Sequence, residues 1–361
     1  MPTTDVLIVG AGPTGIAVAI AAQAAGLSHV ILERGPLANS LYHFPVNMTF
    51  FSTSEKLEVG DVPFISHADK PSRTEALEYY RRLVDSKRLE LRTYTPVEAI
   101  HRDGDDFRVE AATGEVFAAR NVVLATGYYG CPRLLGVPGE DLPKVRHYYD
   151  DPHLYIGQRV LVIGAANSAC DVALETWMKG ADVTMAIRGD RIYDRVKYWI
   201  KPNIENRIAE GSIAAYFHST VREIRPREVV LDTPDGEVTL DNDFVLAMTG
   251  YQPDFGFLER CGVRFGDDEL RRPLIDEDSC AVEGQAGLYL AGVIQAGLAT
   301  SELFIENTRH HGRAIVEDIT RRRATAPRRY SSAAAVLSGS TARRTSALTQ
   351  PSSPVGRVTA Q

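Results

Sequence analysis

The chain has 361 residues, and its 44% hydrophobic and 24% charged residues are typical of a soluble globular protein with two domains. Its net charge of −7 is uneven, because residues 319–361 contain eight arginines and no acidic residue, which leaves about −15 on the rest. An acidic body of this kind argues against nucleic acid as its partner.

The sequence lacks the marks of a membrane or secreted protein. No run of about 18 apolar residues occurs, and the first apolar stretch has no basic segment before it and is broken by Gly10 and Gly12. The four cysteines, at positions 131, 170, 261 and 280, are far apart and form no CxxC pair. These features predict a cytoplasmic location, reduced thiols and no membrane partner.

The first segment predicts a βαβ unit that binds a dinucleotide. Residues 5–9 predict a buried strand, residues 16–25 an alanine-rich helix and residues 29–33 a second strand. The turn between the first strand and the helix supplies the predicted phosphate contacts, which are Gly10, Gly12, Pro13, Thr14 and Gly15. Gly10 permits the turn, Gly12 the close approach of a pyrophosphate, and Gly15 the packing of helix on strand. The phosphates are expected at the helix N-terminus.

Further cofactor contacts are predicted along the same domain. Glu33 ends the second strand, where its carboxylate can accept hydrogen bonds from ribose hydroxyls, and Arg34 follows it. Residues 97–109 predict a strand, a turn and a strand that begin at Val97 and lie beside the adenine. The motif VVLATG ends the first nucleotide-binding segment with Thr126 and Gly127.

Residues 159–187 predict a second βαβ unit, with strands at 159–163 and 182–187 and a helix that ends near residue 179. Its turn keeps Gly164 but has alanine in place of the other two glycines, and Asn167 and Ser168 are the other predicted phosphate contacts. Arg188 and Arg191 follow the second strand, where two guanidinium groups would bind the 2′-phosphate of NADPH rather than NADH. The alternative is that both arginines are solvated loop residues.

The chain then returns to its first domain. Residues 244–254 end the second nucleotide-binding segment, residues 288–293 predict a strand, and residues 300–319 predict a helix with His310 and His311 late in it. A cation at a helix C-terminus complements the helix dipole. Cofactor contacts are predicted here at Gly292, Val293 and Thr300.

These elements predict an α/β fold with two Rossmann-like dinucleotide-binding domains, in which an NADPH domain is inserted in an FAD domain. The expected boundaries are 1–130 and 250–320 for the FAD domain, 131–249 for the NADPH domain, and 324–361 for a disordered basic tail.

Three stretches carry a resemblance to a known family, namely NMTFFSTSEKLEVGDVPF (47–64), VKYWIKPNIENRIAEGSI (196–213) and ELFIENTRHHG (302–312). Over about residues 4–318 the chain resembles thioredoxin reductase-like flavoproteins, and among them the YpdA-type bacillithiol disulfide reductases. This resemblance implies FAD, NADPH, a homodimer, and reduction of the disulfide of a small thiol such as bacillithiol. It also implies that residues 40–56 line the flavin, with Ser40, Asn47 and Thr49 as contacts.

The chain departs from its relatives at the positions where they carry redox thiols. Residues 147–150 read HYYD where thioredoxin reductases have CxxC, and Thr14 stands where YpdA-type reductases have a cysteine. A hydroxyl without an adjacent base is a poor nucleophile and forms no disulfide. Two residues remain as catalytic candidates. Thr14 is one, and its alternative role is a hydrogen bond to a phosphate or to the backbone. Cys131 is the other, and its alternative is an ordinary thiol in a linker.

Hydride transfer from NADPH to FAD needs no protein thiol, so the sequence predicts an NADPH-dependent flavoenzyme that acts on a low-molecular-weight disulfide. One alternative is a thiol-independent reductase of a ferredoxin- or flavodoxin-type partner, or a flavin oxidase or monooxygenase. A non-enzymatic nucleotide sensor is a third. No spacing of histidine, cysteine or carboxylate residues predicts a metal site.

Overall fold

A computed structural model describes residues 3–325 of the chain. Its strands, in chain order, are β1 Thr4–Val9, β2 His29–Leu32, β3 Leu91–Arg92, β4 Val97–Asp103, β5 Asp106–Ala111, β6 Val116–Leu124, β7 Val145–Arg146, β8 Arg159–Ile163, β9 Asp182–Ala186, β10 Ala214–Tyr216, β11 Thr220–Ile224, β12 Glu228–Thr233, β13 Gly236–Asp241, β14 Phe244–Ala247 and β15 Leu288–Leu290.

The α-helices are α1 Pro13–Ala24, α2 Asn39–Tyr42, α3 Arg73–Lys87, α4 Asn167–Met178, α5 Lys201–Ala209, α6 Phe255–Arg260, α7 Ile305–Thr308 and α8 His311–Thr325. Short 3-10 helices occur at Ser54–Leu57, Pro152–Tyr155 and Val293–Ala296.

The first sheet is built from both ends of the chain. Its strands follow the order β3-β2-β1-β6-β5-β4, and β15 pairs in parallel with the second half of β6. The strands β1, β2, β3, β6 and β15 are parallel, whereas β4 and β5 form an antiparallel extension. β15 pairs with β6, although the strands of two other sheets lie between them in the sequence. The first domain is therefore interrupted in sequence and continuous in space.

The second sheet comes entirely from the intervening chain. It has the parallel order β10-β9-β8-β14-β7, and a separate antiparallel sheet of β11, β12 and β13 accompanies it. In each parallel sheet the glycine turn follows an inner strand, β1 or β8, and leads into a helix, α1 or α4. The predicted α/β fold with one dinucleotide-binding unit inserted in another is confirmed, and the predicted domain boundaries stay predictions.

Alternating side chains divide each parallel sheet between two cores. In β1, Val6 and Ile8 pack into the cluster that contains α1, whereas Leu7 and Val9 pack into a cluster on the opposite face with β5 and β15. All four are at least nine-tenths buried. Successive strand residues point to opposite faces, so a strand covered on both sides reads as a continuous apolar run.

The predicted helix over residues 300–319 is confirmed over residues 311–319 and wrong before them. The chain forms the single turn α7 and then starts again as α8 at His311. Gly312, near the start of α8, lies against the backbone of Ala17 in α1, where a side chain at residue 312 would collide. This close approach packs the start of α8 directly against the backbone of α1.

The basic tail predicted from residue 324 falls mostly on residues 326–361, which lie outside the described residues. The prediction is wrong for Ala324 and Thr325, because α8 continues through both of them.

Candidate active site

The first glycine turn is a close-packed backbone structure with one open position. A side chain at Gly10, where φ is 110°, would collide with the Ala125 carbonyl, and one at Gly15 would collide with the carbonyl of Gly10. A Cβ built on Gly12 meets no atom within 4 Å. The turn therefore needs glycine at 10 and 15 to fold, while Gly12 leaves its backbone open to a ligand.

Glu33 fastens this turn to the end of β2. Its side chain is 6% exposed, and its two oxygens accept hydrogen bonds from the backbone N–H groups of Ala11, at 2.8 Å, and Gly35, at 3.0 Å. Each carboxylate oxygen keeps a second lone pair. Glu33 therefore shapes the turn and can still accept hydrogen bonds from another group.

Thr14 lies in the first turn of α1 and is held from α7. Its Oγ1 is 2.9 Å from the Oγ1 of Thr308, a fully buried residue. The Thr308 hydroxyl donates its hydrogen bond to the carbonyl of Phe304 at 3.0 Å. A hydroxyl has only one hydrogen to donate, so Thr308 accepts the hydrogen bond from the Thr14 hydroxyl. A hydroxyl that donates its hydrogen bond to another neutral hydroxyl has no base beside it to activate it as a nucleophile.

Next to Thr14 lies the turn that follows β15. A Cβ built on Gly292 would be 3.3 Å from the Thr14 hydroxyl, and the N–H of Gly292 donates to Nδ1 of His311 at 3.1 Å. Burial, with a smaller contribution from His310, lowers the pKa of His311 to about 4. His311 is therefore neutral at pH 7 and carries its proton on Nε2. Thr14, Gly292, Thr308 and His311 form what we call the threonine–histidine cluster.

The role predicted for His310 and His311 is wrong. They do not lie late in a helix, because His311 is the first residue of α8 and His310 precedes it. A cation is unfavourable at a helix N-terminus, and burial separately lowers the pKa of His311.

The end of β6 adds an unpaired polar group. The hydroxyl of Thr126 is buried and has no hydrogen-bond partner among residues 3–325. Gly127 has φ 65°, and a Cβ built on it would lie 4.0 Å from Oγ of Ser40. Gly127 and Ser40 therefore lie next to each other at the end of β6, and Thr126 immediately precedes Gly127.

The other residues predicted to bind the first dinucleotide are scattered. Val97 begins β4 and packs beside the second core cluster of the first sheet. The guanidinium of Arg34 lies against the backbone of Gly130. Val293 starts a 3-10 helix, and the carbonyl of Thr300 accepts a hydrogen bond from the Tyr128 hydroxyl at 3.4 Å. None of these contacts tests a role in binding.

Asn47 and Thr49 are exposed, and their segment contacts the part of the chain built around the β10-β9-β8-β14-β7 sheet, which we call the inserted half. Nδ2 of Asn47 donates to Oε1 of Glu175 in α4 at 3.1 Å, and the N–H of Val46 donates to the carbonyl of Asp150 at 3.1 Å. Thr49 pairs with Ser72 in an isolated bridge. The Asn47 amide thus contacts the inserted half.

The second turn is also close-packed, and hydrogen bonds from a neighbouring segment hold it. Gly164 has φ 130°, and a Cβ there would lie 2.8 Å from the Met248 carbonyl. The Ala165 carbonyl accepts from the N–H of Tyr193 at 3.0 Å, and Oδ1 of Asn167 accepts from the N–H of Lys197 at 2.9 Å. Residues 193–197, which the sequence did not predict as part of the site, therefore hold this turn in place.

The polar residues predicted around the second turn are accessible. Ser168, Arg188 and Arg191 are exposed. Arg191 forms an ion pair with Asp194 at 3.1 Å, and no ion pair of Arg188 occurs among residues 3–325. The two arginines follow β9, as predicted.

None of the four cysteines is an activated thiol. Burial and the nearby Asp254 raise the pKa of half-buried Cys131, and the opposing effect of Arg34 is smaller. Burial raises the pKa of Cys170 and of Cys261 to about 12 and also raises that of Cys280. All four are free thiols. Because the thiolate is the reactive form, the geometry gives Cys131 no support as a catalytic residue.

Residues 3–325 lack two further kinds of structural feature. No helix there is long and apolar enough to cross a membrane. No group of three or more histidine, cysteine or carboxylate residues is placed to hold a metal ion.

Two parallel sheets, each with a glycine turn that leads into a helix, define an enzyme class with two dinucleotide-binding folds, one inserted in the other. Residues 7–292 match the family described as pyridine nucleotide-disulphide oxidoreductases. The chain belongs to this family. It is an enzyme, an oxidoreductase that works with FAD and a pyridine nucleotide.

Individual relatives agree with this assignment. The chain is 41% identical over 317 residues to the bacilliredoxin reductase Bdr of Bacillus subtilis (strain 168), an alignment that covers 88% of this chain and 97% of that protein. It is 25% identical to a ferredoxin–NADP reductase of Ignicoccus hospitalis over 76% of this chain and 85% of that one.

A solved structure is also similar along its whole length. The bacillithiol disulfide reductase Bdr (YpdA) from Bacillus cereus is 41% identical, superimposes with a TM-score of 0.86, and is matched over 89% of this chain and 100% of its own. The resemblance drawn from the sequence is therefore confirmed.

The residues of the first half fit FAD. The open backbone at Gly12 suits a pyrophosphate, the free lone pairs of Glu33 suit ribose hydroxyls, and the unpaired buried hydroxyl of Thr126 suits a polar ligand atom.

Proposed function

We propose that the protein uses NADPH to reduce, with bound FAD, the disulfide of a low-molecular-weight thiol such as bacillithiol. The observation that carries this proposal is the 41% identity, over almost the full length of each relative, to proteins named bacilliredoxin reductase and bacillithiol disulfide reductase. The net reaction consumes NADPH, a proton and one disulfide and gives NADP⁺ and two thiols.

FAD supplies the chemistry of accepting a hydride and passing on two electrons. On this proposal Gly10, Gly12, Pro13, Thr14 and Gly15 bind its pyrophosphate, and Glu33 binds its ribose. Arg34, Ser40, Asn47, Thr49, Val97, Thr126, Gly127, Gly292, Val293 and Thr300 complete its site. The threonine–histidine cluster keeps α1 and the turn after β15 in place.

The pyridine nucleotide is proposed to be NADPH. Gly164, Asn167 and Ser168 would bind its pyrophosphate at the start of α4, and Arg188 and Arg191 its 2′-phosphate. The two guanidinium groups support this choice because they are exposed and follow β9, where a dinucleotide's adenosine ribose binds in this fold. Asn167 has its Oδ1 engaged by Lys197, which leaves its Nδ2 as the donor for phosphate.

The identity of the group that reduces the disulfide separates two candidate functions. The resemblance to YpdA-type reductases implies that Thr14 stands in place of a thiol, and all four cysteines have raised pKa values. This observation favours electron transfer from the flavin without a protein thiol, either to the small disulfide or to a redox protein of the ferredoxin or flavodoxin type. The similarity to a ferredoxin–NADP reductase supports the second candidate.

We further propose that the active form is a cytoplasmic homodimer. This proposal rests on the family resemblance, and sedimentation of the purified protein tests the dimer.

The function is tested by acceptor-dependent loss of NADPH under anaerobic conditions. We expect the purified yellow protein to oxidise NADPH when bacillithiol disulfide is added, and to do so less with glutathione disulfide. Reduction of cytochrome c that requires ferredoxin, without loss of NADPH on addition of any small disulfide, would replace the first candidate by the second. A colourless preparation that binds no added FAD would contradict both.

A further inference from the structure

The residues between β9 and α5 form a segment fixed to the inserted half. Its side chains Ile192, Val196 and Ile200 are buried in the core that contains α4 and β9. Its backbone holds the second glycine turn through Tyr193 and Lys197. We call residues 192–200 the strap. Because it is anchored in this way, the strap moves together with the second glycine turn, which we also call the pyridine nucleotide turn.

The end of the strap contacts the part of the chain built around the first sheet, which would hold FAD and which we call the flavin half. The ring of Trp199 lies 5.9 Å from that of Phe51 in an edge-on arrangement, and Nζ of Lys70 lies 3.9 Å from the centre of the Trp199 ring. Nζ of Lys197 lies 5.4 Å from the centre of the Phe51 ring. Trp199 is the only strap residue with contacts of this kind to both Phe51 and Lys70 among residues 3–325.

These contacts differ from those of the adjacent residue. Trp199 is 42% exposed because one side of its ring is covered, whereas Tyr198 is 83% exposed, and Trp199 is the only aromatic ring against that of Tyr198 among residues 3–325. An ammonium over an indole face and an aromatic edge against an aromatic face are both attractive and directional. Trp199 therefore has a defined position between the halves, and Tyr198 does not.

Such a position matters for hydride transfer. The donor carbon and the acceptor atom belong to cofactors held by different halves, and a misplacement of about 1 Å can slow a reaction by a factor of about 100. The strap connects the turn that would hold one cofactor to a surface loop of the half that would hold the other.

We propose that Trp199 is a positioning residue that sets the pyridine nucleotide turn in register with the flavin half, by packing against Phe51 and Lys70. The inference rests on the proposed use of NADPH and FAD, but not on which acceptor follows.

The first test compares Trp199→Ala with Tyr198→Ala in the holoenzyme. Rapid anaerobic mixing with saturating NADPH measures the rate at which the flavin is bleached. We expect the rate to fall roughly tenfold in Trp199→Ala, with the FAD content and the Kd for NADPH within about twofold of wild type, and little change in Tyr198→Ala. Trp199→Phe should restore most of the rate. Equal rates in Trp199→Ala and wild type would overturn the proposal.

A second test does not depend on activity. The chain has two tryptophans, so Trp177→Phe leaves Trp199 as the only indole, and acrylamide quenching of its fluorescence reports how exposed it is. We expect Phe51→Ala and Lys70→Met, each added to Trp177→Phe, to increase quenching. If neither does, the contact between the halves is absent in solution and the proposal fails.

The two proposals fail in different ways. Bleaching by NADPH involves no disulfide, so a failure of bacillithiol disulfide as acceptor leaves the Trp199 result intact. Conversely, an unchanged bleaching rate in Trp199→Ala leaves the proposed acceptor untouched.

Discussion

Oγ1 of Thr14 and Oγ1 of Thr308 are 2.9 Å apart, although 294 residues separate them in the chain. The hydrogen bond joins the first turn of α1 to α7, and the Thr308 hydroxyl in turn donates a hydrogen bond to the carbonyl of Phe304. Thr14 therefore acts as a structural hydrogen-bond donor between two segments that are distant in sequence.

A double-mutant cycle measures this bond. We expect Thr14→Val and Thr308→Val each to lower the free energy of unfolding, and their coupling energy to be about 1 kcal/mol, the usual net value of one buried hydrogen bond. Urea unfolding of the wild type, both single variants and the double variant provides the four values. Additivity to within about 0.3 kcal/mol would mean that the two hydroxyls do not interact in solution.

Replacing Thr14 by cysteine should create a reactive thiol. A thiol in the first turn of α1 has its pKa lowered by the backbone N–H groups, so its thiolate fraction at pH 7 should exceed that of the native thiols by roughly tenfold. We expect Thr14→Cys to react with a chromogenic disulfide at pH 7 well before any native cysteine, all of which have raised pKa values.

The matched control for that variant is Thr14→Ser, which keeps a hydroxyl of similar size and should show only the slow native reaction. NADPH-dependent reduction of bacillithiol disulfide should also increase in Thr14→Cys, if a thiol at this position can exchange with the substrate. A thiol in Thr14→Cys that reacts no faster than the native ones would show that the first turn of α1 does not lower its pKa.

Local sequence patterns predicted both dinucleotide turns because their requirements lie within a few residues. Gly10 and Gly15 need backbone space, and Glu33 is the residue that ends the next strand, so spacing along the chain decides the result. The same reasoning placed β8 at Arg159–Ile163. Fold class and turn geometry were therefore readable from residue types and spacing.

Contacts between distant segments were not readable in this way. Nothing near Thr308 or His311 in sequence indicates that they contact Thr14 and Gly292. Helix propensity indicates neither the break between α7 and α8 nor the close approach of Gly312 to Ala17. The family-specific stretch 302–312 marked this segment as important but not for what reason.

His311 should make stability depend on pH. Its folded pKa of about 4 lies below the ordinary 6.5, so the unfolded chain binds the proton more tightly. Its contribution to stability is complete above pH 6.5 and is lost as the pH falls toward 4, by at most about 3 kcal/mol. Urea unfolding of the wild type at several values of pH across this range measures the loss.

His311→Asn is the control, because the Oδ1 of asparagine can accept the hydrogen bond from Gly292 and does not titrate. The variant should be less sensitive to pH than the wild type between 6.5 and 4. Identical pH dependence of the two proteins would show that His311 does not titrate in this range as a result of folding.

On the proposed use of NADPH, the two arginines after β9 should contribute differently to its binding. A charge-assisted hydrogen bond to phosphate contributes about 1.5–3 kcal/mol, so Arg188→Ala should raise the KM for NADPH by roughly ten- to a hundredfold. Arg191 already pairs with Asp194 at 3.1 Å and must give up part of that interaction, so Arg191→Ala should have the smaller effect. Steady-state kinetics with both nucleotides measures this, and the KM for NADH should stay within about twofold. An equal rise for NADH and NADPH would show that the arginines do not contact the 2′-phosphate.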